Sequence, residues 1–330
     1  MTEFLLDIQE LYVNFRIYEG ILKVLNSVNL KIKPGEKIGL IGETGCGKTT
    51  TMKSILKILP IPPAIIPSGR ILFEGKDIFK MDVKELNSVR RKDISMIFQD
   101  PIAALNPVFK VGKQLESVIK SSTLEKGEEL SKEEIKKRSI TVLKEVALPD
   151  AERLLNNYPI QLSGGMRQRI CIAIAIASAG KLLIADEPGT NLDVTIKDQV
   201  LRLIGNLVDE LGTSIILISH ALGTVKGLVD RVYTMYAGSI VEIARIGDLF
   251  SEPLHPYTRG LIKSVPKLTG GGIPAGIPGR LPEYLNPPAG CRFAPRCEHA
   301  MPICLKSLPP IVDEGNEHEV ACYLYGGEAR

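Results

Sequence analysis

The chain has 330 residues, 24% of them charged, with 41 basic against 38 acidic side chains and a formal net charge of +3. That near-balance signals no nucleic acid or other polyanion as partner, and the one tight basic cluster, Arg90-Arg91-Lys92, reads as a solvated helix end. The longest apolar run, Ile170 to Gly180, is about half the roughly 20 residues that a membrane span needs, so a soluble chain with no N-terminal signal is expected.

In chain order, residues 4–33 read as alternating strands, and an α/β core runs from there to about residue 100. Within it Lys37–Ile41 reads as a strand, and Thr50 through Leu59 as a helix stopped by Pro60. Residues 108–160 change character. Ser131 to Glu134 is a capping box, with Ile135, Val142, Leu143 and Val146 following at helical spacing, so an inserted helical subdomain is expected over about 108–165. Ile170–Ala177 then reads as a buried helix, Lys181–Asp186 as a central parallel strand, Asp193–Leu211 as a helix, 213–219 as a strand and 231–243 as short strands. Past Val265 prolines and glycines dominate, which divides the chain into a domain of residues 1–265 and an extension of residues 266–330.

Three stretches carry chemistry. Gly42-Glu43-Thr44-Gly45-Cys46-Gly47-Lys48-Thr49 fits the phosphate-binding pattern G-x-x-x-x-G-K-[ST], with a strand before it and a helix opening at Thr50. Gly42, Gly45 and Gly47 let the backbone at Thr44 and Cys46 wrap phosphates, Lys48 reaches the β- and γ-phosphates, and the Thr49 hydroxyl is suited to Mg²⁺. Leu162-Ser163-Gly164-Gly165-Met166-Arg167-Gln168 precedes the buried helix, so its capping serine and glycine amides point a helix N-terminus at an anion. Asp186 and Glu187 end the central strand, where one acid can hold Mg²⁺ and the other activate water.

With these in order the chain resembles the ATP-binding cassette (ABC) family over nearly its whole length. The resemblance also rests on Gln99 in Ile97-Phe98-Gln99-Asp100-Pro101, on Asn191-Leu192-Asp193, and on His220 after Ile218-Ser219. It implies an α/β fold with a RecA-like core, an antiparallel β subdomain and a helical subdomain. It further implies a dimer with two ATPs between each P-loop and the opposing signature, residues 162–168. By the same likeness Gln99 binds Mg²⁺ or the attacking water, Glu187 is the base, Asp193 lies in the loop crossing the dimer interface, and His220 contacts the γ-phosphate. Phe15, with Tyr18 as second choice, is expected to stack on adenine. Gly189, Asn191 and Ala221 depart from the family's pattern near these groups.

The tail adds Cys291, Cys297, Cys304 and Cys322, spaced C-x5-C-x6-C-x17-C in a segment too irregular to build much core. Disulfides conflict with a reducing compartment, and the short knuckle of structural zinc is missing, so a [4Fe–4S] staple is expected, with zinc using His299 or His318 as the alternative and no metal as a third reading. The segment Pro253–Leu261, then Ile277-Pro278-Gly279, resembles the C-terminal extension of dipeptide/oligopeptide importer ATPases, some of which are similar in carrying such a cluster. That likeness implies an ATPase at the cytoplasmic face of the membrane, working with a second ATPase subunit (itself or a sibling), two permeases and, indirectly, a peptide-binding protein. The same architecture serving another ligand such as nickel, or a soluble ATPase acting on nucleic acid or the ribosome, are the competing expectations.

Overall fold

Apolar and polar side chains alternate from Leu6 onward, and in the computed structural model they build a long antiparallel hairpin. The structure describes residues 3–178, 180–190, 192–220, 222–265 and 276–325. These form two compact units, one of residues 1–33, 37–79 and 218–330, the other of residues 34–36 and 80–217.

In the first unit Leu6–Ile17 pairs with Gly20–Ile32, from Leu6 opposite Ile32 to Ile17 opposite Gly20, with Tyr18 and Glu19 in the turn. Leu6, Ile8, Leu11 and Val13 are buried from one strand and Leu25, Val28, Leu30 and Ile32 from the other, so one face of the hairpin carries the core. Arg70–Phe73 extends this sheet on the other side of Leu6–Gln9. A second sheet begins with Lys37–Ile41, which pairs in parallel with Arg231–Tyr236; Ser239–Arg245 follows antiparallel. The helix after the phosphate loop runs from Lys48 to Ile55, starting earlier than Thr50 because Gly47 turns the chain straight into it, and ending earlier than Leu59 because Lys57 enters the left-handed region at φ +52°.

The extension is more regular than expected. Ile311–Asp313 and Glu319–Ala321 form a hairpin whose inner strand pairs with Glu242 and Ile243, so the tail belongs to the same compact unit as the N-terminal strands. Its turn is built by Gly315, Asn316 and Glu317, all at positive φ. The pairing is locked by Glu242, 1% exposed, whose carboxylate accepts from Leu254 N at 2.8 Å and His255 N at 2.9 Å and lies 2.8 Å from His318 Nε2. Tyr236, Tyr257 and Phe293 fill the space beneath, with Tyr236 edge-on to both partners at centroid distances of 4.6 and 5.0 Å.

In the second unit Ile94–Ile97 runs parallel to Leu182–Asp186, and every residue of the latter is buried. The helical subdomain consists of Val111–Glu125, Lys132–Glu145 and Ala151–Leu154. Ser131 and Glu134 make the reciprocal capping box, at 2.7 and 3.3 Å, that opens the second of these helices. Gly164–Ala177 is buried almost all round from Ile170 onward. Among the described residues no helix is long and apolar enough to cross a membrane.

Candidate functional site

The phosphate loop is shaped by its glycines. A Cβ at Gly42 (φ +152°) would lie 2.1 Å from the Met235 carbonyl oxygen, and one at Gly47 (φ +113°) 2.7 Å from Leu25 Cδ2, so neither position admits a side chain. Lys48 is 5% exposed, and its ammonium donates to the carbonyls of Gly42 at 2.7 Å and Glu43 at 3.0 Å. The charged group is therefore already aimed along the inside of the loop. Cys46 is buried behind it, where desolvation raises the thiol's pKa against the opposing pull of Lys48. Thr44 and Gly45 are exposed at the tip, and Thr49 and Thr50 are half-buried in the first helical turn. Phe15 is half-buried on its strand, opposite Leu22 and Ala64, whereas Tyr18 is fully exposed in the turn. His220 is exposed at the carboxyl end of Ser214–Ser219.

The second unit brings Gln99 and Glu187 together, Gln99 Nε2 donating to Glu187 Oε2 at 3.2 Å. Thr190, which the motifs do not single out, donates its hydroxyl to the same oxygen at 2.9 Å. Glu187 sits at φ +46°, a left-handed conformation costing a non-glycine residue on the order of 1 kcal/mol. Asp186, 2% exposed, closes the strand before it. Asp193 caps Val194–Leu211, accepting from Ile196 N at 2.9 Å. Gly189 packs against Lys197, whose Cγ would lie 2.6 Å from an added Cβ, which accounts for a glycine there. Asn191 and Ala221, the other two departures, lie outside the described residues.

At the signature Ser163 is the N-cap, accepting from Met166 N at 3.3 Å and keeping its O–H to donate. Ser163 and Gly164 are exposed, Gly165, Met166 and Arg167 half-buried. Leu162 and Gln168 are buried at 4% and 2% exposure and support the turn from inside. Arg167 is tied back to the Pro159 carbonyl at 2.9 Å.

Of the tail cysteines Cys304 is buried and Cys291, Cys297 and Cys322 are half-buried, and none forms a disulfide. The chain folds back so that Cys291 N donates to Cys304 O at 2.7 Å. Burial pushes the Cys322 thiol up to about 11, and the other three thiols add to that rise, so all four share one electrostatic neighbourhood. Among the described residues, however, no three His, Cys, Asp or Glu side chains gather closely enough to hold a metal ion. The expected metal-stapled extension is thus seen as a fold without an assembled metal-ligand set. Of the two histidines in the zinc alternative, His318 is buried with Nε2 2.8 Å from Glu242 Oε1, and His299 is exposed with Nε2 3.6 Å from Glu298 Oε1.

The profile of the ABC transporter family matches residues 25–190, and that of the oligopeptide/dipeptide transporter C-terminal region matches residues 241–304. The oligopeptide transport ATP-binding protein OppD of Bacillus subtilis is 44% identical over 327 residues, covering 98% of this chain and 90% of that one. The dipeptide transport ATP-binding protein DppD of the same organism is 42% identical over 323 residues, covering 98% and 95%. Among solved structures, the dimeric post-hydrolysis state of the ATP-binding cassette MJ0796 bound to ADP and Pi is similar with a TM-score of 0.65 at 26% identity, covering 73% of this chain and 98% of that one.

Proposed function

The chain belongs to the ABC transporter ATP-binding family, in the branch bearing the oligopeptide/dipeptide C-terminal region, and from that membership we propose how its residues serve the reaction. It is the ATP-hydrolysing subunit that energises import of di- or oligopeptides through a membrane transporter, and neither a nickel importer nor a nucleic-acid ATPase is favoured by its relatives. The observation that carries the catalytic reading is the phosphate loop, with Lys48 buried yet held by two carbonyls that the phosphates of ATP can replace.

In this reading Gly42 to Thr50 cradle the β- and γ-phosphates with backbone donors and Lys48, and Phe15 stacks on adenine. Thr49 and Asp186, with Gln99, offer the hard oxygen donors that Mg²⁺ prefers, and Mg²⁺ would neutralise charge developing on the phosphates. Glu187 takes the proton of the attacking water and aligns it for in-line attack, giving ADP and phosphate. Gln99 and Thr190 orient that carboxylate, and His220 contacts the γ-phosphate. The Ser163 hydroxyl and the amides of Gly164 and Gly165, flanked by Met166 and Arg167, reach ATP held by a second subunit. Asp193, by capping its helix, sets the loop that crosses between subunits. The ATPase sits at the cytoplasmic face of the membrane with two permeases and a peptide-binding protein outside.

For the tail, Cys291, Cys297, Cys304 and Cys322 are proposed to hold a [4Fe–4S] cluster; their shared electrostatic neighbourhood supports it, and the wider ligand spacing of a cluster relaxes the demand that one zinc ion makes. Iron and sulfide analysis with absorbance at about 400 nm tests this, and a colourless protein from anaerobic purification overturns it. Transport is tested by co-purification with two hydrophobic permeases and ATP hydrolysis stimulated by peptide-loaded binding protein. Stimulation by nucleic acid instead would reject it.

A further inference from the structure

The cysteine segment grips the phosphate loop through polar contacts that no step of hydrolysis uses. Arg296, next to Cys297, sends Nη1 to both carboxylate oxygens of Glu43 at 3.1 and 3.0 Å and to Tyr236 Oη at 3.3 Å. The same guanidinium donates to the carbonyls of Pro278 at 2.8 Å and Ile277 at 3.1 Å, and its side chain is 6% exposed. Glu43 N donates to Tyr257 Oη at 2.9 Å. Tyr284 Oη donates to Gly45 O at 2.7 Å, while the Tyr284 carbonyl accepts from Lys23 N at 2.8 Å, so the tyrosine is itself anchored at its backbone.

These contacts fall on the tip of the loop, between Gly42 and Lys48. Two physical consequences follow. A glycine-rich loop left free must lose backbone entropy when it closes on phosphate, and tethering it beforehand removes much of that loss. Glu43 also places a carboxylate on a loop meant for anions, and Arg296 neutralises it at close range in a partly desolvated setting.

We propose that Arg296 and Tyr284 are positioning residues for the phosphate loop, so that the extension around Cys291–Cys304 holds the loop ready for nucleotide and sets the affinity for ATP. This rests on reading residues 42–49 as the ATP site. Occupancy of the neighbouring cysteines by a cluster is not required, although any change in that segment is transmitted to Glu43 through Arg296.

The test is the dissociation constant of MgATP for the full-length chain, together with KM and kcat in the assembled transporter. Arg296→Ala should weaken MgATP binding about ten-fold and raise KM in parallel while kcat at saturating ATP changes less than about two-fold. Arg296→Lys should recover part of the loss. The double variant Glu43→Gln/Arg296→Ala should bind more tightly than Arg296→Ala alone, because the uncompensated carboxylate is gone; a mere structural staple predicts no such recovery. Tyr284→Phe removes one oxygen and should weaken binding several-fold, and it decides the matter by itself if Arg296→Ala does not fold. Wild-type affinity in Arg296→Ala and Tyr284→Phe, with only Tm lowered, overturns the proposal. Lys48→Ala separates the two readings: if it too binds MgATP normally, the site assignment fails, and if it alone loses binding, only the positioning role fails.

Discussion

Gln99 and Glu187 are joined side chain to side chain, Nε2 to Oε2 at 3.2 Å, and Thr190 donates to that same oxygen at 2.9 Å. Two donors on one oxygen fix the plane of the carboxylate on a residue whose backbone is already held at φ +46°. A carboxylate kept in one orientation by its neighbours suits the role of base proposed for Glu187, because it can align a water without losing entropy to rotamer search.

Glu187→Gln should therefore retain ATP binding and lose roughly 100-fold or more in turnover. Thr190→Val, which removes one of the two donors, should lower kcat several-fold with KM unchanged. Phosphate release at saturating ATP measures both, and normal turnover in Glu187→Gln would remove it from the role of base.

Ser163 both caps its helix and is proposed to meet ATP on another subunit. Ser163→Ala should lower the stability of the chain by about 1 kcal/mol, from the lost cap, while leaving ATP affinity of the isolated subunit intact. Hydrolysis by the wild type should rise more steeply than linearly with subunit concentration, and Ser163→Ala should flatten that rise. Linear dependence in the wild type would contradict a site shared between subunits.

Glu242 is a buried carboxylate satisfied by two backbone amides and by His318. Glu242→Ala strands those donors and should destabilise the chain by about 3–5 kcal/mol, with Glu242→Gln milder. Denaturant unfolding of the two variants checks the order; equal stability would show that the network contributes little.

His255 is fully buried, and desolvation, helped by the charge of Arg259, lowers its pKa to about 3 from an ordinary value of 6.5. The folded chain keeps the imidazole neutral while the unfolded chain protonates it, so stability present above about pH 6.5 is lost as pH falls towards 3. The slope should approach about 1.4 kcal/mol per pH unit in that window. His255→Asn can still accept from Tyr257 N, as Nδ1 does at 3.0 Å, and should flatten the slope. An unchanged pH profile in the variant would assign the acid sensitivity elsewhere.

What the sequence determined by itself is the chemistry that local spacing writes. The phosphate loop, the acid pair Asp186 and Glu187 where the strand Leu182–Asp186 ends, and the caps at Ser131, Ser163 and Asp193 all depend on residues within a few positions of one another. The tertiary structure alone decided which distant groups support them. Gln99 and Glu187 are 88 residues apart, Glu242 and His318 are 76 apart, and Arg296 reaches Glu43 across 253 positions. Thr190 was close in sequence yet unmarked, since a threonine after the Pro188-Gly189 turn has no spacing rule that points it at the acid before that turn. A polar pair leaves no periodic trace in a chain: any arginine or tyrosine can donate, and only the packing of the Tyr236, Tyr257 and Phe293 cluster brings these particular ones to the loop. The four thiols show the same division, for their spacing suggests a shared ligand, but how closely they gather is settled by the fold around them.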